Sequence, residues 1–128
     1  MACAVTVPPD AVLRGERVSV EIRWSGDVAS GALSRLSDGL AAGEIELRAD
    51  ASTLVVERLE VARAFRAYGL GSESARLLRE YAESGPWTLL RAWAPPNLGL
   101  SVYFWSRMGL RPLHGEGPNG GIWFERPV

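Results

Sequence analysis

Lysine is absent from this sequence: all 14 of its basic residues are arginine. A Walker A phosphate loop, a Schiff-base nucleophile and a pyridoxal phosphate site are therefore excluded. Cysteine and histidine occur once each, as Cys3 and His114. The His and Cys clusters of zinc sites and the HExxH helix cannot be assembled, Cys3 has no partner for an internal disulfide, and no metal site is expected. No excess of charge exists either. The formal net charge is −1, which argues against the basic surface of non-specific nucleic-acid binding. No apolar run approaches the roughly 20 residues that span a bilayer, and Met1 to Pro9 shows neither a basic n-region nor a long apolar h-region. A cytoplasmic protein with neither nucleic acid nor membrane as partner is expected.

What is present is ordinary in amount. The chain has 128 residues, 47% hydrophobic and 23% charged, enough to bury a core without disulfides or metal. With no repeat and no linker, one domain over residues 1–128 is expected. Period-2 alternation predicts half-buried strands over Val18 to Trp24, Gly43 to Arg48 and Thr53 to Val61. Ser25-Gly26-Asp27, Asp38-Gly39 and Ala49-Asp50-Ala51-Ser52 are turn signals that make these an antiparallel meander. Ala29 to Leu36 fits strand or helix, and the hairpin spacing to Asp38-Gly39 favours strand.

The period then changes. Over Ser72 to Ser84, Leu77, Leu78, Tyr81 and Ala82 share one helical side and Glu73, Arg76, Arg79, Glu80 and Glu83 the other. Trp87 to Ala94 reads as a strand covered on both faces. Asn97 can cap a second helix, Leu98 to Met108, closed by Gly109. Arg111 to Glu116 and Gly121 to Pro127 read as a hairpin. Trp24, Trp87, Trp93 and Trp123 fall in these strands, where core packing is preferred, although an aromatic acceptor pocket or a dimer interface would use the same residues.

The segment richest in chemistry is Leu59 to Leu78, where a strand passes through Arg66-x-x-Gly69-x-Gly71 directly into a helix. Two glycines let a ligand approach the backbone, and a helix start offers unpaired N–H groups and the positive end of its dipole, a setting for phosphate or pyrophosphate. Arg66 adds a positive charge. The plainer reading is a tight strand-to-helix turn. A Rossmann site is weaker, because no third glycine follows at the needed spacing.

The strand ending Leu59-Glu60-Val61, the turn Arg66-Ala67-Tyr68-Gly69-Leu70-Gly71 and the helix after it resemble motif A of the GNAT superfamily of acyl-CoA-dependent N-acyltransferases. Asn97 followed by Ser101-Val102-Tyr103-Phe104-Trp105-Ser106-Arg107-Met108-Gly109-Leu110 resembles motif B of that superfamily. The resemblance covers Thr53 to Arg126 well and Val18 to Asp50 only by strand pattern. It implies an α/β (α+β) fold with a mixed, mostly antiparallel twisted sheet, an N-terminal strand meander, two principal helices and a C-terminal hairpin. It further implies acetyl-CoA as cofactor and an amine of a small molecule or peptide as acceptor. Main-chain groups of Leu59 and Val61 would hold the pantetheine arm and orient the thioester, and the amides of Arg66, Ala67, Tyr68, Gly69, Leu70, Gly71 and Ser72 would wrap the pyrophosphate. Asn97 would contact pantetheine and Trp105 would lie near the sulfur. Arg107 would reach the 3′-phosphate or adenine, or else is a solvated helix residue.

Three departures from the family pattern bear on chemistry. Ala67 stands where glycine is usual, Trp105 where a tyrosine acid is usual, and Pro8 to Arg17 is too short for the helix pair that usually walls the acceptor site. An indole N–H donates a hydrogen bond but keeps its proton at neutral pH. A thiol of pKa about 8.5 leaves as thiolate at pH 7 for about 2 kcal/mol, so slow transfer without an acid is feasible. An amine of pKa about 10.4 must first lose a proton, for roughly 4.6 kcal/mol. Glu57, read as sharing the alternation of Leu59 and Val61, is the candidate base, and an exposed-face glutamate is its plainer reading. The expected catalytic set is thus Val61, Glu57 and Trp105. Tyr103 reads as a core residue and His114 as a surface one. The readings left open are an N-acetyltransferase, a catalytically weak or inactive CoA-binding or interaction module on the same scaffold, and a homodimer that completes the acceptor cleft.

Overall fold

The computed structural model describes residues 10–62, 69–94, 105–106, 108–113 and 121–128. Strands β1 (Ala11–Arg14), β2 (Val18–Ser25), β3 (Val28–Arg35), β4 (Ala41–Asp50) and β5 (Thr53–Val61) come first, then helix α1 (Leu70–Ser84). β6 (Leu89–Ala94), β7 (Arg111–Pro112) and β8 (Ile122–Pro127) follow. They form one sheet in the order β1-β2-β3-β4-β5-β6-β8-β7. β1 to β5 are an antiparallel meander, and the β5–β6 pair is parallel, with α1 as the crossover.

The local chemistry explains the meander. Gly26, at φ 66°, opens the two-residue loop between β2 and β3, where a left-handed residue matches strand twist. Ala51 takes the same role between β4 and β5 at φ 52°, a backbone region in which a Cβ is strained. Alternation then directs Val18, Val20, Ile22, Leu33, Ile45, Leu47, Leu54 and Val56 into one core with Leu70, Ala75, Leu78 and Ala82 of α1. Trp24 stacks on Trp87 with ring centroids 6.0 Å apart, and Tyr81 of α1 lies 5.4 Å from Trp87. Among the described residues, no helix is long and apolar enough to cross a membrane.

The expected mixed sheet, meander and closing pair of strands are all present, and β5 has the predicted limits. The ambiguous segment is strand β3. Four details differ. β1 pairs with β2 where no strand was expected. Trp87 precedes β6 rather than lying in it. β6 alternates half-buried and buried residues instead of being covered on both faces, because Arg91 and Trp93 share its outer side with Leu89. The first strand of the closing pair is only two residues among those described. The second expected helix falls largely outside the described residues, of which Trp105 and Ser106 are helical.

Candidate cofactor site

The site grows from a single irregularity in β5. Glu46 opposes Arg58 and Leu47 opposes Val56, so Glu57 is the extra residue of a bulge. The bulge resets the alternation: Val56 and Leu59 both pack toward α1, which throws Glu57 and Arg58 together onto the opposite, outer face. The regular alternation expected for Glu57 is thereby corrected, since it lies away from Leu59 and Val61. There it accepts a hydrogen bond from Arg48 Nε at 2.6 Å, and this contact raises the Arg48 pKa. Arg58, on the same face, bridges Glu44 at 2.7 Å, Glu46 at 3.0 Å and Glu60 at 3.3 Å.

The bulge also marks where β5 leaves β6. Their ladder has four pairs, Thr53–Leu89 to Val56–Ala92, after which Trp93 and Ala94 pair only with Trp123 and Ile122 of β8 among the described residues. Leu59 and Val61 stand half-buried beyond that divergence, on the side of the core. A crevice at the carboxyl ends of parallel strands is where open sheets of this kind bind ligands.

α1 begins at the same end of the sheet. Gly69 is its N-cap at φ 73°, a conformation that disfavours any side chain, and its carbonyl accepts the first helical bond from the Glu73 amide at 3.1 Å. The amides of Leu70, Gly71 and Ser72 precede that bond and have no acceptor within the helix. Leu70 is buried at 1% exposure and Ser74 donates to the Leu70 carbonyl at 2.7 Å, which fixes the first turn against the core. These groups suit an anion.

Two features of this end had no signal in local sequence. Glu73 Oε1 accepts from the backbone amides of Arg17 at 2.8 Å and Val18 at 3.0 Å. Arg17 Nη1 stands 3.3 Å from where a Cβ on Gly69 would be. The partners are more than 50 residues apart in the chain, so only the fold brings them together.

The other expected site residues divide. Trp105 is buried at 4% exposure within the hydrophobic core, so its indole does not stand open to solvent. Arg66, Ala67, Tyr68, Asn97 and Arg107 lie outside the described residues, as do Tyr103 and His114. Among the described residues, no cluster of His, Cys, Asp and Glu could hold a metal ion. An open depression of about 420 Å³ lies on the outer face, between Glu21, Arg23, Ser30, Glu44, Glu46 and Arg58.

The fold is that of the GNAT acetyltransferases. A GNAT-family protein from Chromobacterium violaceum matches with a TM-score of 0.75 at 15% identity, over 97% of this chain and 94% of that one. A GNAT family acetyltransferase from Elizabethkingia anophelis, solved with acetyl-CoA bound, matches with a TM-score of 0.73 at 12% identity, over 89% and 100%. The PaiA N-acetyltransferase from Thermoplasma acidophilum, in complex with coenzyme A, matches with a TM-score of 0.67 at 16% identity, over 80% and 62%. Neither a protein-family profile nor a curated protein matches the sequence.

Proposed function

We propose that this chain is an acetyl-CoA-dependent N-acetyltransferase that passes an acetyl group to an amine of a small molecule or peptide. The observation that carries the reading is the divergence of β5 from β6 beyond Val56, at the end of the sheet where the Gly69-capped helix begins. The fit to acetyl-CoA is chemical. Gly69 adds no side chain of its own at the helix start, and the amides of Leu70, Gly71 and Ser72 provide donors for a pyrophosphate. Each such charge-assisted bond is worth roughly 1.5 to 3 kcal/mol, so several hold the group without lysine. Main-chain groups of Leu59 and Val61 hold the pantetheine and orient the carbonyl, with Arg66, Ala67, Tyr68 and Asn97 completing the contacts and Arg107 at the 3′-phosphate. When bound, acetyl-CoA supplies the thioester that the amine attacks.

The chain's own part in transfer is alignment. Fixing the thioester against the amine replaces much of the entropy that a bimolecular reaction loses. Glu57, paired with Arg48 on the outer face, is removed from the Leu59 and Val61 side and is not assigned the base role. The amine's proton passes to water.

Trp105 in place of the family's usual tyrosine acid favours a second reading, a scaffold that holds CoA without turnover, because an indole delivers no proton at neutral pH. Two measurements separate the readings. Calorimetric titration with acetyl-CoA, with ATP as control, should give micromolar affinity for acetyl-CoA and far weaker binding of ATP; absence of acetyl-CoA binding would remove both. CoA release in an amine screen then supports transfer, and its absence with acetyl-CoA bound supports the scaffold.

A further inference from the structure

We propose that Arg17 belongs to the anion cradle: its guanidinium, carried by the turn between β1 and β2, contacts the pyrophosphate of CoA at the start of α1. The inference rests on the cofactor reading above and adds a cationic residue from a part of the chain outside both motifs.

Three observations place the side chain there. Arg17 is exposed, and its Nη1 stands 3.3 Å from where a Cβ on Gly69 would be, at the residue whose left-handed backbone opens the helix. Its main chain is held on both sides, since its amide donates to Glu73 Oε1 at 2.8 Å and its carbonyl accepts from the Leu36 amide at 2.8 Å. Finally, Gly15 brings the turn close enough for this clamp: a Cβ there would lie 2.1 Å from Glu73 Oε1. The backbone of Arg17 is thus docked against the first turn of α1.

The chemistry suits a pyrophosphate. A guanidinium is permanently charged and presents a planar fork of donors that matches phosphate oxygens in pairs. It adds a full positive charge to the partial charge of the helix start. Glu73, whose Oε1 is engaged by the amides of Arg17 and Val18, keeps its negative charge and offsets part of this gain, so the guanidinium is what leaves the helix start attractive to an anion. Glu73 acts as a positioning residue that turns a negative charge in the first helical turn into an anchor for a positive one.

The test compares Arg17→Ala and Arg17→Lys with the unsubstituted protein by calorimetry, using CoA, 3′-dephospho-CoA and pantetheine. Arg17→Ala should bind both CoA and 3′-dephospho-CoA about ten- to a hundredfold more weakly and pantetheine unchanged. Arg17→Lys should recover part of the loss, as a point charge without the fork. Unchanged CoA affinity in Arg17→Ala overturns the assignment, and so does a loss confined to CoA, which would move the contact to the 3′-phosphate. An equal loss for pantetheine overturns it too, as a general disturbance of the site. If the unsubstituted protein binds no CoA, the cofactor reading itself falls.

Discussion

The indole N–H of Trp24, on β2, donates to the phenol oxygen of Tyr81, on α1, across 3.0 Å. The bond joins helix to sheet beside Trp87, which both rings contact.

Burial raises the Tyr81 pKa above 10, more than the Trp24 bond lowers it. A tyrosine whose folded pKa exceeds its unfolded value contributes stability that is complete below about pH 10 and lost as pH rises through the folded pKa. Denaturant unfolding should therefore show a decline above about pH 10 that is smaller in Tyr81→Phe. The same variant should lose about 1 kcal/mol at pH 8, where only the hydrogen bond is missing.

Gly69→Glu places a carboxylate at the helix start and next to Arg17. We expect CoA affinity to fall at least a hundredfold, whereas Gly69→Ala, which carries the same backbone strain of about 1 to 2 kcal/mol, should retain measurable binding. Calorimetry of both variants, with melting curves to confirm folding, checks the prediction; equal affinities would remove the anion from this turn.

Glu57 and Arg48 are each more than a third exposed, so their ion pair contributes little. Glu57→Gln should change stability by less than about 1 kcal/mol. It should also leave the rate of CoA release within threefold of the unsubstituted rate. A large loss of rate at unchanged stability would return Glu57 to the chemistry.

Ala51 holds φ 52° in the loop between β4 and β5. Replacing it with glycine removes a strain of about 1 to 2 kcal/mol and adds about 0.5 to 1 kcal/mol of unfolded-state entropy. Ala51→Gly should raise the melting temperature by a few degrees; a lower value would mean that the Ala51 methyl packs more favourably than its exposure suggests.

Most of the sheet was legible because period-2 alternation ended at turn residues, as in Thr53 to Val61 between Ser52 and the motif turn. β1 was not, since four residues near Pro8, Pro9 and Gly15 carry too little pattern. The bulge did leave a trace. Leu54 and Val56 fall on one phase and Leu59 and Val61 on the other, with the doublets Val55-Val56 and Glu57-Arg58 marking the slip. Reading that strand as regular put Glu57 on the wrong face. The glycine turn was legible because helix starts need local residue types, whereas the approach of Arg17 and Glu73 depends on how distant segments pack and leaves no local mark.

The two kinds of pairing in this sheet also imply an order of assembly. Each hairpin of the meander closes through a short loop, but β5 and β6 meet only after the whole of α1 has been threaded between them. Longer loops lose more entropy on closure, and that ladder has only four pairs to offset it. By that measure it closes later than the hairpins of the meander. A molecule that bridged the two strands beyond Val56 would act as a splint, raising the temperature at which the seam parts in proportion to how tightly it is held.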